Sequence, residues 1–465
     1  MNIFLYNKSL RCNDNTTLIE QINNENNIIP IFIFTEQVNI NKNNYFSNNS
    51  VQFMIESLIE LAYEIKKKYN GKLYFFHSDK LIKVFEEIIK NNVINSIGTN
   101  FDYSPYAKLR QDILLNFCDK NNIKFYIKED HVLYDIIFGQ TLKKDNTPYK
   151  VFTPFKNFCL KNLIIREPNN FKKFNFIINK KLEDNKYYIN IKNINKFYIF
   201  NEYNNIKGGR SNGLKILKNA NHFKLYTKSR DNLTYNTTFL SAYNHYGILS
   251  IREVYNSFKN NIGIVNELHW RDFYYNLYYN FPNMLGGQIN KINETFKPKF
   301  NNILWNNNNK LFNNWCNGTL GIPMCDCGMR QLNKIGFMHN RLRMICANVL
   351  TKLLLINWHL GEKYFAQKLI DYDCIQNSGG WQWMCAGIDP QMVFRIFSPK
   401  LQNIKFDPEC IFIKEYIPEL KNVPNKDIIN WENSYINYTD IDYPSPQIDY
   451  VKAREYAIKE YKKIN

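Results

Sequence analysis

Residues 371–383 read Asp371-Tyr-Asp-Cys-Ile-Gln-Asn377-Ser-Gly-Gly-Trp-Gln-Trp383, a stretch that crowds two carboxylates, an amide and two indoles together. An aromatic, partly acidic segment of this kind suits the wall of a pocket for a large planar cofactor, where flat rings supply apolar area and a few polar groups fix orientation. The Gly379-Gly380 pair predicts a turn, so the stretch reads as poor material for a plain helix.

Around it the pattern is helical from Leu214 onward, broken at Gly247, Pro282, Gly318, Gly321 and Gly361. This predicts a mostly helical domain over residues 206–465. The other end of the chain differs. Segments 2–6, 28–34, 72–76 and 93–98 are short and mostly continuously apolar, with helical spacing between them at Met54, Leu58, Leu61 and Ile65 and again over Leu81 to Ile89. Strands alternating with helices predict an α/β domain over residues 1–130, with a doubly wound parallel sheet covered on both faces. Residues 131–205 are poorly periodic and punctuated by Pro148, Pro154 and Pro168, which marks them as an interdomain connection. A chain of 465 residues exceeds the size at which one core stops growing, in keeping with that division.

The formal charge of +18, from 60 Lys+Arg against 42 Asp+Glu, favours a polyanionic partner such as nucleic acid. Abundant Asn, Lys, Ile and Tyr are also what an AT-biased coding sequence produces, so tracts such as Asn306 to Asn309 carry no functional signal. The 10 cysteines show no repeated pairing pattern and the N-terminus enters an apolar strand at once, which points to a reducing, cytoplasmic setting. Cys325-Asp-Cys327 with Cys316 lacks a fourth ligand, so no metal is expected. The apolar run from Ile345 to Ile356 is interrupted by Asn348 and Lys352, which argues against a membrane span.

Three constellations carry chemistry in the helical half. Thr237-Thr-Phe-Leu-Ser241 brings three hydroxyls to a predicted helix start, which can hold a diphosphate or simply cap the helix. Glu267, Trp270 and Arg271 share a helical face; a carboxylate beside an indole suits a base edge, and an ion pair over a core Trp is the alternative. Phe337, Asn340, Arg341 and Met344 form an apolar floor with an amide and a guanidinium, and any inward Arg there needs an anion such as Asp371 or Asp373. Trp305, Trp358 and Trp381 read as packing unless a redox cofactor is present. No dinucleotide fingerprint, phosphate-binding P-loop or nucleophile elbow occurs, so hydride transfer and serine hydrolysis lack support.

Taken in order, Leu10-Arg11 to Leu18, Tyr226, Thr237 to Ser241, Glu267 to Arg271, Trp315 to Pro323, Asp326 to Leu332, Met338 to Met344, Trp358, Gly361-Glu362, Asp371 to Trp383 and Phe394 to Phe397 resemble the photolyase/cryptochrome family, and within it the class I cyclobutane pyrimidine dimer photolyases. The resemblance spans nearly the whole chain. It implies FAD, active when reduced, within the helical domain, with Tyr226, Thr237, Thr238, Phe239, Leu240 and Ser241 on its diphosphate side. It also implies that Arg343 pairs with Asp371, that Asp373 faces the ribose and flavin, and that Asn377 stands near the flavin N5. Glu267, Trp270, Asn340, Arg341, Met344 and Trp383 would meet a flipped dinucleotide in ultraviolet-damaged DNA, and Trp381, Trp358 and Trp305 would relay electrons to oxidised flavin. Light-driven repair of cyclobutane dimers by a monomer is the implied activity; a blue-light receptor of the cryptochrome type is the alternative. Met338-His339-Asn340-Arg341 is similar to dimer-splitting enzymes rather than to the paired-histidine (6-4) form. Thr238 stands where Ser is commoner, and Phe337 where Trp is frequent. A second, antenna chromophore, folate or deazaflavin, is a further implication. Ala107-Lys108 stands where folate-binding members carry Asn-Glu, which argues against folate and leaves a deazaflavin or no antenna open.

Overall fold

The computed structural model describes residues 1–170, 174–235, 237–288, 296–385, 387–388 and 392–464. Contacts group the chain into two compact units: one comprises Met1–Glu202, Ile206–Lys224 and Thr238–Asn280, the other Tyr203–Asn205, Leu225–Thr237 and Phe281–Asn465.

The first unit is built on strands β1 (Asn2–Tyr6), β2 (Ile28–Phe34), β3 (Tyr74–His77), β4 (Ser96–Asn100), β5 (Lys124–Lys128) and β6 (Tyr188–Ile189), in the order β5-β4-β1-β2-β3-β6. All neighbours are parallel except β6, which runs antiparallel along β3. Every residue of β1 and β2 is buried, as a sheet covered on both faces requires. Their sequence bounds are therefore those expected. Strands β3 and β4 start later than the apolar runs at 72 and 93, because β4 pairs with β1 only from Ser96 opposite Asn2, and β3 with β2 only from Tyr74 opposite Ile31. The crossover helices Thr16–Asn24, Asn48–Tyr69 and Pro105–Lys120 begin at Asn15, Ser47 and Ser104, whose side-chain oxygens accept from Leu18, Ser50 and Ala107 backbone N–H groups.

The described residues of the stretch read as a connection, up to Glu202, belong to this first unit. They contribute helix Phe152–Asn162, two 3₁₀ turns at Lys180–Asp184 and Ile191–Phe197, and β6. Phe155 and Cys159 of that helix are fully buried, and the helix packs against Ile262–Asn280. An ionic cluster closes the unit's interior: Arg11 reaches Asp130 at 2.6 Å, and Arg252 reaches both Asp130 (2.8 Å) and Asp14 (2.6 Å). Burial alone would raise the Asp130 carboxyl, but the two guanidiniums and hydroxyl donors from Ser9 and Thr16 hold it well below the usual range.

In the second unit, helices Asn309–Asn317, Pro323–Ile335, Asn340–Asn348, Trp358–Lys368 and Cys374–Cys385 enclose a core containing Trp315, Leu342, Ile345, Leu350, Trp358, Phe365, Trp381 and Met384. The stretch expected to avoid helix is a helix from Cys374 onward, with Gly379 and Gly380 inside it. Two glycines cost about 1 kcal/mol each in such a position. Asp373 offsets this by accepting from the backbone N–H of Ile375 and Gln376 at the helix start, and burial of Ile375, Trp381 and Met384 adds the larger share. Cys316, Cys325 and Cys327 are buried free thiols, and burial pushes the Cys316 thiol up to about 12. Among the described residues no cluster of three or more metal-ligating side chains occurs, and no helix is long and apolar enough to cross a membrane.

Candidate functional site

Helix Cys374–Cys385 organises the second unit's candidate residues. Asn377 spends both N–H bonds of its amide on Glu362, donating to the backbone carbonyl and to Oε1, each at 3.1 Å. Glu362 is itself buried, and the same Oε1 accepts from Tyr372 Oη (3.2 Å) and Ser378 Oγ (3.4 Å). A carboxylate can only accept, so the amide is oriented with nitrogen toward Glu362 and Oδ1 left over as an acceptor. Beside it, a Cβ added at Gly380 would meet no described atom within 4 Å. Among the described residues the helix therefore borders open space at Gly380, one turn from Asn377.

The Gly361-Glu362 pair explains how this helix is seated. Any Cβ at Gly361 would run into the Trp381 ring and the Leu350 side chain, so only glycine lets the two helices close on the indole. Glu362, the next residue, then reaches Asn377. The sequence pairs Gly361 with Glu362 but assigns Glu362 no task, because its burial and its reach to Asn377 arise only when the two helices pack.

Arg343 donates from Nη2 to both oxygens of Asp371, at 3.0 and 2.8 Å, and from Nε to the Met338 carbonyl at 2.8 Å. Its guanidinium also lies 5.5 Å from the centroid of the Phe337 ring. Phe337 precedes the helix rather than lying on it, because His339 caps Asn340–Asn348 through Nδ1, which accepts from the Arg341 N–H. Burial pushes the His339 imidazole down to about 4, so it stays neutral and free to accept. In the first turn Asn340 and Arg341 both point a donor at Met344 Sδ, at 3.9 and 3.6 Å. This joins three of the expected residues. Of the two anions offered to an inward Arg, Asp371 is taken by Arg343 and Asp373 caps its helix start, and Arg341 pairs instead with Asp231 at 2.8 Å.

Trp381 and Trp358 are buried in the same core, with half-buried Trp305 packed against it. The ring neighbours of Trp381 among the described residues are Phe365 at 5.0 Å and Trp315 at 6.0 Å, while Trp358 stacks on His359 at 3.7 Å. Trp383 is half-buried and packs on the same core. Tyr226 opens the short helix Tyr226–Ser229, and Thr237 lies with it in the second unit. Thr238, Phe239, Leu240 and Ser241 belong to the first unit, where Phe239 adopts a left-handed φ of 52° and the Thr238 hydroxyl accepts from the Leu240 N–H at 3.4 Å.

Also in the first unit, Glu267 and Trp270 are half-buried on helix Ile262–Asn280. Arg271 is buried and donates to the His131 carbonyl (2.6 Å) and Nε2 (2.5 Å). Next to it, burial raises the Asp272 carboxyl to about 7 despite Arg271 and the backbone N–H groups of Leu133 and Tyr134. Trp270 stacks face to face on Phe152, with ring centroids 3.6 Å apart and planes 7° from parallel. At the residues that bear on an antenna, Ala107 is buried and the Lys108 ammonium lies over the rings of Tyr278 and Tyr279, at 5.0 and 5.6 Å.

Comparison with known proteins supplies the frame for these residues. Residues 2–172 match the model described as DNA photolyase, and residues 264–463 match the FAD binding domain of DNA photolyase. The chain is 34% identical to a deoxyribodipyrimidine photo-lyase of Buchnera aphidicola subsp. Acyrthosiphon pisum, over 99% of this chain and 96% of that protein. Among solved structures it is similar to an archaeal photolyase from Sulfolobus tokodaii, with a TM-score of 0.87 at 34% identity and complete coverage of both chains. A class III photolyase from Agrobacterium tumefaciens is similar at a TM-score of 0.87 and 26% identity, covering 100% of this chain and 97% of that one. With both family models matched along most of its length, the chain belongs to the DNA photolyase family.

Proposed function

We propose that this chain repairs cyclobutane pyrimidine dimers in ultraviolet-damaged DNA, using light and a bound FAD, as a class I enzyme that works as a cytoplasmic monomer. The observation that carries this reading is the Asn377 amide, whose Oδ1 is left as an acceptor on the helix that borders open space at Gly380. An acceptor held in that way suits a ring N–H, which a reduced flavin has at N5. Family membership and the FAD-binding model over 264–463 support the cofactor.

Arg343, Asp371, Asp373 and Asn377 would hold the flavin and ribose end, and Tyr226 with Thr237, Thr238, Phe239, Leu240 and Ser241 the diphosphate. The chemistry FAD supplies when bound is a light-driven one-electron donation that lets both bonds of the cyclobutane ring part before the electron returns. The protein's own part is positioning. Glu267 hydrogen-bonds the pyrimidines and stabilises their transient charge. Trp270 and Trp383 offer flat apolar walls, which recover part of the unstacking cost of flipping. Asn340, Arg341 and Met344 add an amide, a guanidinium and a polarisable floor for the nucleotide. Trp381, Trp358 and Trp305 would serve as electron carriers that keep the bound cofactor in its reduced, working state. The Sulfolobus tokodaii photolyase holds two FAD molecules, so a second chromophore in this chain is part of the proposal, with flavin and deazaflavin as the candidates and folate disfavoured by Ala107-Lys108.

The test is light-dependent loss of dimers from irradiated DNA by flavin-loaded, reduced protein. Loss under blue or near-ultraviolet light and none in darkness is expected. Loss in darkness rejects the electron-transfer mechanism, and no loss in light moves the reading to a receptor of the cryptochrome type.

A further inference from the structure

Helix Phe152–Asn162 turns Phe152, Phe155 and Cys159 to one face by three- and four-residue spacing, and that face packs against helix Ile262–Asn280. From the opposite helix come Trp270 and Phe273, again three residues apart. Phe273 meets both other rings edge-on, Phe152 at 5.8 Å and 72° and Trp270 at 5.8 Å and 78°. Phe155 braces Phe273 from below at 5.5 Å. Tyr274 lies tilted beside Trp270 at 6.0 Å and 31°, and the tightest contact of the group is the near-parallel stack of Phe152 on Trp270. Aromatic pairs left to themselves favour offset or edge-to-face arrangements, so a closely overlaid pair reflects two helices that fix where the rings stand.

This leaves the indole of Trp270 with one face covered and its plane set in advance. We propose that Phe152 is a positioning residue for lesion recognition: by backing Trp270 it fixes the plane of the indole against which a flipped pyrimidine stacks. The proposal rests on the reading that Trp270 meets the lesion. An unbacked indole would have to give up rotamer freedom on binding, at a cost that a preset ring avoids. The effect belongs to recognition of the flipped base. Contacts to the phosphate backbone, which dominate binding to intact duplex, do not involve it.

The experiment uses flavin-loaded protein with a duplex oligonucleotide carrying one cyclobutane thymine dimer, and the same duplex undamaged, titrated in the dark. Phe152→Leu keeps apolar volume and removes the flat backing. It should weaken dimer binding by about 2- to 10-fold, the cost of ordering one side chain, with flavin content and affinity for undamaged duplex unchanged. Phe152→Tyr should restore wild-type affinity. In photorepair the loss should appear in KM rather than kcat, and near-ultraviolet circular dichroism should lose the stacked-pair signal in Phe152→Leu alone. Trp270→Ala separates the two readings. If it weakens dimer binding while Phe152→Leu does not, the positioning role is overturned. If Trp270→Ala binds the dimer as wild type does, the assignment of Trp270 to the lesion fails. Equal losses on damaged and undamaged duplex would overturn the positioning role as well, since they would mark a general defect.

Discussion

Each unit contains buried aspartate paired with arginine, and the two pairings are finished differently. In the first unit the side chains of Asp130, Arg11 and Arg252 are 0%, 1% and 4% exposed. Both Asp130 oxygens are fully used: Oδ1 accepts from the Thr16 N–H, the Thr16 hydroxyl and Arg252, and Oδ2 from Ser9 and Arg11. In the second unit Asp371 is as buried, at 2%, but Arg343 is 27% exposed and meets it through Nη2 alone. Among the described residues Nη1 of Arg343 keeps its donors. A closed network of charges serves the fold, whereas a half-open pair retains donors for something else to use.

The largest effect expected from this difference falls on Asp130. Asp130→Asn should lower unfolding stability by about 3–5 kcal/mol, since it strands two buried guanidiniums, measurable by denaturant titration. The group's folded pKa is depressed, so its contribution is present above the unfolded value near 4 and fades as pH falls below it. The gap between variant and wild type should therefore narrow in acid. A comparable loss of stability in Arg343→Gln would break the comparison.

Asp272 sharpens it from the other side, as a buried carboxyl whose partners do not cancel the cost of burial. Its pKa is raised from 3.8 to about 7, so its favourable contribution is complete below the unfolded value and is lost as pH rises toward 7. Asp272→Asn should gain on wild type between pH 4 and 7, by at most roughly 4 kcal/mol, three pKa units' worth, and the difference should be flat above pH 8. Unfolding curves across that range check the slope, and a variant that loses ground as pH rises contradicts the assignment.

Arg343→Gln is expected to keep the fold and lose cofactor, with FAD affinity down by roughly 1.5–3 kcal/mol for a charged hydrogen-bonding group. Absorbance of bound flavin against protein reads this directly. The smallest effect on stability should come from Glu267→Gln, a half-buried carboxylate, within about 0.5 kcal/mol. Its signature is a lower yield of dimer splitting at unchanged flavin content. A Glu267 variant that shed FAD would place this residue with the cofactor and not with the DNA.

How much of this was legible beforehand varied with the physics of each segment. Strands β1 and β2 were readable residue by residue, because full burial writes an unbroken apolar run. Edge strand β5, in which only Tyr126 is buried and both ends are exposed lysines, leaves a weaker trace in the sequence. Helix Cys374–Cys385 is hidden by its glycines, which predict a turn although both lie inside the helix. At the site, the partnership of Arg343 with Asp371 could be anticipated from residue types and family resemblance. That Glu362 orients Asn377, that Asp231 answers Arg341, and that Phe152 backs Trp270 could not, since each joins residues between 15 and 118 positions apart.

By itself, then, the sequence determined the alternation of strand and helix at one end, the helical character of the other, and a set of residues able to bind a flavin and a damaged base. These are properties of local pattern and residue chemistry, which travel with the chain. Only the tertiary structure decided which carboxylate turns the amide of Asn377, which arginine is left with free donors, and which face of Trp270 is covered. Hydrogen-bond saturation and ring stacking depend on distances between groups remote along the chain, and those distances exist only once the helices have packed.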